Sequence, residues 1–445
     1  MTKEMTVSRP RGVADLAGRR VGIWGYGVEG RASETFLRSR VGELVIVDDQ
    51  PHDEHVLATS DGGLDALAEC DVVLKSPGIP RRRADVMELE SRGVVVTSTL
   101  ALWLADADRS RIAMVTGTKG KSSVTSLMTF IINAAGLSAR SAGNIGVPPY
   151  ALEDDGGYLI IETSSFQAVD VNDAPAVVVV TSLGADHLDW HGDITTYHRD
   201  KLSLTSKPGE HATVVSDDVA LRDAHELLGG DVTWVSAGDS ELREALGLVG
   251  THNERNVQVA LVAASALTGL PLDVLRQAAI QKRDEFTPLA GRLTVVARRD
   301  GVTFIDDGLA TNPLPTIAAL EAVSGDIALI AGGFDRGVDY SPLARAIAER
   351  GRVALIVMPT AGERIAQAVM SLVPDIALTH AQSMDEAVDQ AIGALPKGGT
   401  VLLSPAAPSF SQYANWEERS ADFRRTVLGT AVNSSHHGAF GHEDS

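Results

Sequence analysis

The stretch RIAMVTGTKGKSSVTSLMTFIINAAG at 111–136 decides the fold. An apolar run ends in a glycine-bearing turn, and a helical stretch follows at once. Gly117 and Gly120 free the backbone to aim N–H groups at an anion, and the dipole of the following helix adds its field. Lys121 can reach β- and γ-phosphates, and Ser122 can ligate magnesium. Val115 stands where the usual spacing has a first glycine, but G-x-x-G-K-S is intact. The stretch reads as a nucleotide-phosphate loop between a strand and a helix.

Outward from this unit, Val/Ile/Leu-rich runs alternate with Ala-rich helical stretches in three successive series. Buried parallel strands look like this, so the expected class is α/β. The first series holds RRVGIWGYG at 19–27, a helix over 29–39, ELVIVDD at 43–49, CDVVLKSPGIP at 70–80 and VVVTS at 94–98. The second adds YLIIETSSF at 158–166 and AVVVVTSLG at 176–184, and closes with a helix over 257–269. The third has LTVVA, VTFIDD, DIALIAGG, VALIVM and TVLLSP as strands. These restarts put domains at 1–108, 109–290 and 291–432, with a disordered, His-containing tail at 433–445.

Length agrees, since 445 residues correspond to about three domains. With 44% hydrophobic and 22% charged residues the chain is globular rather than disordered. One cysteine, Cys70, excludes an intrachain disulfide and fits a reducing cytosol. Against 39 Lys and Arg stand 59 Asp and Glu, a net charge of −20 that repels phosphate backbones and argues against nucleic acid. No apolar run approaches the ~18 residues of a membrane span, and MTKEMTVSRPRG lacks the apolar core of a leader, so a cytoplasmic protein without membrane insertion is expected.

Other motifs sit at strand ends. GYGVEG at 25–30, with Asp48 and Asp49 closing the next strand, could serve NAD, another nucleotide, or only a tight turn. Glu162 ends YLIIE, where a carboxylate beside a phosphate loop suits magnesium; a salt-bridged or capping glutamate is the bland alternative. LGADHLDWHG at 183–192 brings His187 to another strand end, whereas Lys201 passes on pattern alone for a solvated helical lysine. In GTHNERN at 250–256, Asn256 could meet a base or ribose, or the segment could merely cap a helix. IDDGLATNP, GGFDRG and SPAAPSFSQYANWEER end strands of the third series, the last offering Ser409 and Trp416 for substrate contact.

Taken in order, GTKGKSS, ETSSFQ, the DHLD segment, GTHNERN, AGRL at 290–293 and DDGLATN resemble the Mur ligases, the ATP-dependent amino-acid-adding enzymes of peptidoglycan synthesis. SSFQ, SAGNIG, SPGIP and the SPA…NWEER ending are most similar to the branch that adds glutamate to UDP-N-acetylmuramoyl-L-alanine. The resemblance implies a Rossmann-like N-terminal domain for the UDP substrate, a P-loop ATPase-like central domain, and a Rossmann-like C-terminal domain for the amino acid. It implies a monomer using ATP and two Mg2+ ions. By that resemblance ATP meets Gly117, Thr118, Lys119, Gly120, Lys121, Ser122, Ser123, Asn256, Arg292 and Asp307. Ser122, Glu162, His187 and a carbamylated Lys201 would hold metal, with Lys121, His187 and Lys201 catalytic. Gly25, Gly27, Gly30, Asp48 and Asp49 would bind the uridine diphosphate, and Asn144, Ser164, Ser165 and Gln167 the muramoyl-alanine arm. Leu309, Thr311, Arg336, Ser409 and Trp416 would face the amino acid.

The departures matter. Lys119 stands where the family usually has Asn. The D-glutamate enzyme's D-S-K-A-T-N reads D-G-L-A-T-N here, with Gly308 and Leu309 for serine and lysine, and Arg336 replaces a second lysine. Those lysines help hold the carboxylates of D-glutamate, so the changes favour L-glutamate, with D-glutamate or another Mur-type amide ligase as the alternatives. A dehydrogenase built on GYGVEG would leave the second glycine loop and Glu162 unexplained. A non-catalytic nucleotide-binding protein would not need Lys121, Glu162 and His187 together.

Overall fold

The structure is a computed structural model that describes residues 8–410 and 412–434. Two compact units form, Met1–Asp239 with Arg255–Lys282, and Ser240–Glu254 with Arg283–Ser445. The first contains two sheets. Strands β1 (Arg20–Trp24), β2 (Glu43–Asp48), β3 (Leu57–Ala58), β4 (Val72–Lys75) and β5 (Val95–Thr97) lie in the order β3-β2-β1-β4-β5. All are parallel, and helix α1 (Val28–Leu37) returns the chain from β1 to β2. Strands β6 (Ile112–Thr116), β7 (Ala139–Gly143), β8 (Tyr158–Glu162), β9 (Val177–Val180), β10 (Ala212–Ser216) and β11 (Asp231–Val235) make the second, in the order β11-β10-β9-β6-β8-β7. It too is wholly parallel, and β6 is buried along its whole length, as its unbroken apolar run requires.

The second unit holds β12 (Thr294–Arg299), β13 (Val302–Asp306), β14 (Ile327–Gly332), β15 (Val353–Met358), β16 (Leu378–His380) and β17 (Gly399–Leu403), ordered β12-β13-β17-β14-β15-β16. Only β12 departs from the parallel plan. Asp300 and Gly301 alone link it to β13, both at positive φ (51° and 77°). Two residues cannot make a parallel crossover, so the pair closes as an antiparallel hairpin.

Every strand read from the sequence forms. Sequence reading missed β7, β10, β11, β16 and the two-residue β3, which are short or lie at or near sheet edges, where the apolar runs are brief. Of the expected tail, Asn433 and Ser434 end a helix, and 435–445 lie outside the described residues. No single helix among the described residues is long and apolar enough to cross a membrane.

Gly30 shows how tightly the first β–α turn is built. A Cβ there would fall 2.1 Å from the Gly25 carbonyl oxygen, which is backbone and cannot swing aside. Gly30→Ala should therefore displace α1 and destabilise the first unit by about 1–3 kcal/mol, read as a lower midpoint in thermal unfolding. An unchanged midpoint would show that the turn has slack.

Candidate active site

Helix α2 (Lys121–Ala134) starts directly from the loop after β6. Gly117 takes φ 139°, and a Cβ there would lie 2.1 Å from Thr181 Oγ1, so only glycine brings this backbone against the end of β9. The loop is stitched to that end. Thr118 N donates to Ser182 O (2.9 Å), Lys119 N to Ser182 Oγ (2.8 Å), and Gly184 N to Thr118 Oγ1 (2.9 Å). Ser122 is buried on the first turn, Ser123 beside it is half-buried, and Asn256 Oδ1 lies 3.0 Å from where a Cβ at Gly120 would stand.

Two lysines converge on this loop. Lys121 Nζ donates to Gly117 O at 2.9 Å and to Thr118 O at 3.3 Å. Lys201 Nζ, from helix α4 (Ile194–Leu202), donates to the same Gly117 oxygen at 2.9 Å. Lys201 is 2% exposed, so it is not the solvated lysine that its pattern suggested. Burial first, and the neighbouring Lys121 charge second, pull its pKa well below the ordinary lysine value, against the opposing pull of Asp186 and Glu162.

Glu162 is buried at the carboxyl end of β8. Asn144 Nδ2 donates to its Oε1 at 3.2 Å, while Oε2 is buried without a hydrogen-bond partner. An orphaned buried carboxylate oxygen near a hydroxyl-bearing phosphate loop is a hard donor that fits magnesium. Lys201 fits a metal only as a carbamate, because an amine nitrogen is a poor ligand for that ion. His187 takes φ 49°, lies 52% side-chain exposed with its ring 5.0 Å from Phe166, and comes within 3.8 Å of Asp186. Among the described residues no three His, Cys, Asp or Glu side chains converge as a metal cluster.

The turn after Glu162 is helix α3 (Ser165–Asp170), and each polar side chain along it is held. Ser164 and Gln167 form a reciprocal capping box. Gln167 Nε2 also donates to Glu29 Oε1 at 2.6 Å, which brings the GYGVEG turn against the SSFQ turn. Ser165 Oγ meets His191 Nε2 at 2.9 Å, His191 Nδ1 meets Asp200 Oδ2 at 2.8 Å, and Arg82 clamps Asp200 at 3.0 and 3.1 Å. Asp170 pairs with Lys75 at 2.5 Å and Arg81 at 2.7 Å. Ser165 is thus 2% exposed, with its hydroxyl taken by the protein.

The expected uridine diphosphate residues are similarly engaged. Asp48 Oδ2 accepts from Tyr26 N at 2.5 Å, so this carboxylate shapes the glycine turn itself. Asp49 pairs with Arg83 at 2.5 Å and accepts from Thr59 Oγ1, which keeps its pKa below the usual carboxylate value. Gly25 is in the left-handed region at φ 94°, and Gly27 is exposed at the cap of α1.

In the second unit, Asp307 is buried, accepts from Ser404 Oγ at 2.7 Å and Leu293 N at 3.3 Å, and is pushed by burial to a pKa of about 7, with exposed Arg292 opposing that shift. Leu309 and Thr311 follow it, half-buried; Trp416, also half-buried, starts helix α5 (Trp416–Ser434), and Ser409 is buried. Sequence reading missed Arg419. It is 2% exposed and donates to Ala407 O (3.0 Å), Gly332 O (3.5 Å) and Gly308 O (2.9 Å), tying three strand-end loops together. Glu29, Lys75, Arg82, Asp170, His191 and Asp200 were missed as well. Nothing short of their tertiary partners marks them out.

Comparison with known proteins adds independent findings. The Mur ligase middle domain matches residues 115–261, and the Mur ligase glutamate ligase domain matches 291–407. A protein of Salinispora tropica named UDP-N-acetylmuramoyl-L-alanine–L-glutamate ligase is 39% identical, over 94% of this chain and 99% of its own. A Symbiobacterium thermophilum protein named UDP-N-acetylmuramoylalanine–D-glutamate ligase is 32% identical over 83% of this chain and 87% of its own. The crystal structure of UDP-N-acetylmuramate–alanine ligase from Thermotoga maritima superposes with a TM-score of 0.55 at 16% identity, covering 93% of this chain and all of that one.

Glu29 supplies a pH test. Burial chiefly, then the Asp170 charge, raise its pKa from 4.5 to about 7, with Gln167 and Lys75 pulling the other way. A raised carboxyl pKa means that folding favours the protonated form, so its contribution is full below about 4.5 and fades as pH climbs through 7. Glu29→Gln keeps the acceptor for Gln167 and removes the charge. It should match the parent at pH 4.5 and gain about 1–3 kcal/mol on it by pH 8, seen as diverging thermal midpoints.

Proposed function

The chain belongs to the Mur ligase family, and we propose that it joins L-glutamate to the alanine carboxyl of UDP-N-acetylmuramoyl-L-alanine, consuming ATP, in peptidoglycan precursor synthesis. The observation that carries the ligase chemistry is the convergence of Lys121 and Lys201 on the Gly117 carbonyl, in the loop stitched to the end of β9. The L-glutamate assignment draws support from a relative of that name across nearly the whole chain, and from Leu309 and Arg336 at the amino-acid site. We assign the UDP substrate to 1–108, ATP to 109–290 and the amino acid to 291–432, and read the protein as a cytoplasmic monomer.

A carboxylate is a poor electrophile, and phosphoryl transfer from ATP makes it an acyl phosphate. The glutamate amine then attacks the carbonyl carbon, and the C–O bond to phosphate breaks, leaving an amide, ADP and phosphate. The N–H groups of Thr118 and Lys119 are held by Ser182, so Gly120 and the first turn of α2 would present backbone N–H groups to the phosphates, and the Lys121 ammonium would offset charge that builds on the transferred group. Ser122 and Glu162 would hold one magnesium, and His187 with carbamylated Lys201 a second. Bound there, the ions would neutralise phosphate charge and orient the reacting oxygens. The lowered pKa of Lys201 supports that modification, since only the neutral amine can take up carbon dioxide. Asn144, Ser164 and Gln167 line the turn that would face the muramoyl-alanine arm, while Asn256, Arg292 and Asp307 would meet adenine, phosphate and ribose.

Lys121→Ala should lower amide formation by at least about a thousandfold with the fold intact, measured as ADP release that depends on the UDP substrate. Activity within a few-fold of the parent would remove the phosphate loop from the mechanism. Turnover with each enantiomer should favour L-glutamate in kcat/KM by about tenfold or more, a gap of about 1.4 kcal/mol. Leu309→Lys, which restores a cation, should narrow it. A parent enzyme that prefers D-glutamate would overturn the stereochemical assignment and leave the ligase chemistry standing.

A further inference from the structure

Strands β14 and β17 are parallel neighbours, paired at Ile330 and Leu403, and their carboxyl-end loops each raise a phenylalanine. Phe334 is 42% exposed and Phe410 47% exposed, although both are large apolar side chains. Their rings meet edge to face, with centroids 6.5 Å apart. Water-exposed rings in contact with each other form a surface suited to an apolar ligand group.

The backbones under the two rings are locked together. Phe334 N donates to Pro408 O at 2.8 Å, and Gly332 N to Pro405 O at 2.8 Å. A Cβ on Gly333 would fall 2.2 Å from the Pro408 oxygen, so the loops touch main chain to main chain. From below, Arg419 holds the Ala407 and Gly332 carbonyls. The two rings thus stand on a rigid base, which selectivity requires.

Arg336 supplies the polar end. Its guanidinium lies 5.8 Å from the centre of the Phe410 ring, is exposed, and pairs with no carboxylate among the described residues. The nearby acid is already committed, because Asp335 pairs with Arg364 at 2.7 Å. Two apolar walls beside an uncommitted planar cation match a short methylene chain that ends in a carboxylate.

We propose that Phe334 and Phe410 are specificity-determining residues that grip the methylene chain of the incoming amino acid while Arg336 takes its far carboxylate. The proposal rests on the ligase reading above and adds the two walls to it. It predicts a length filter as well as a handed one. The chain would lie across the paired rings, and its length would decide how well its far carboxylate meets the guanidinium.

The test uses the full-length enzyme and its Phe334→Ala and Phe410→Ala variants, with L-glutamate, D-glutamate, L-aspartate and L-2-aminoadipate at saturating ATP and UDP-N-acetylmuramoyl-L-alanine. Both rings are exposed at their tips, so thermal midpoints should hold. KM for L-glutamate should rise by about tenfold in each variant with kcat within a few-fold, and discrimination against the other three amino acids should shrink. KM for ATP should stay within about twofold. Unchanged KM and unchanged discrimination would overturn the proposal. So would a parallel rise in KM for ATP and glutamate, which would mean that the rings serve some contact other than the amino acid. The parent's own choice of enantiomer tests the L-glutamate reading separately, since the walls are judged by the change between parent and variant whichever enantiomer is preferred.

Discussion

One carbonyl oxygen, that of Gly117, receives the amines of both Lys121 and Lys201 at 2.9 Å. Lys201 is deep in the protein and shares its acceptor with a second amine, so burial first and the Lys121 charge second weaken its hold on its proton. The Gly117 backbone that permits this approach exists only without a side chain, since a Cβ would strike Thr181. The loop geometry thus brings the Lys121 charge to Lys201, where it adds to the burial that is the larger cause of the lowered pKa. On the proposed mechanism the same contact separates the roles of two identical residue types. Lys121 would serve phosphate, and Lys201, whose pKa is lowered, would be the one open to modification.

A second constraint surrounds Glu162. The turn that follows it is pinned at Gln167 by Glu29, at Ser165 through His191, Asp200 and Arg82, and at Asp170 by Lys75 and Arg81. Lys75 and Asp170 have almost no exposed side-chain surface, so neither can be removed alone without stranding the other; breaking such a pair costs about 3–5 kcal/mol. A buried ion pair is weak evidence for net stability, because well-packed apolar residues often do as well. What it supplies here is direction. Arg81 and Arg82 follow SPGIP, Glu29 sits in GYGVEG, and both segments reach the helix that begins three residues after Glu162.

Much of this was legible in the sequence, and the reason differs from element to element. The loop after β6 was plain because strand, glycines, lysine and helix are consecutive, and local chemistry alone explains them. Glu162 was legible by position, as a carboxylate that ends an apolar strand. Lys201 was not, since its helical pattern carries no sign of the β6 loop, 84 residues away, that accepts its proton. Arg419 hid for the same reason, because its acceptors are backbone carbonyls on three loops and main chain leaves no trace in residue type. Asp48 shows the opposite case. Its place was read correctly, but its oxygens shape the Tyr26 turn, so a carboxylate at the right spacing can be spent on the scaffold.

The unusual residues are unevenly spread across the chain. The phosphate loop is stitched to Ser182 just past β9, and Glu162 accepts from the Asn144 side chain, so both are tied to the ends of the sheet. Leu309 and Arg336 lie on loops past β13 and β14, where a new side chain alters what faces outward without moving the sheet. Such loops can exchange a point-charge lysine for a planar, bidentate guanidinium with no cost to the strands beneath. Arg419 makes the separation workable, because it fixes the main chain of the same loops from inside and leaves their side chains free to differ. On the proposed reading, selectivity can then change on a rigid base while the activation chemistry assigned to the Gly117 loop is left untouched.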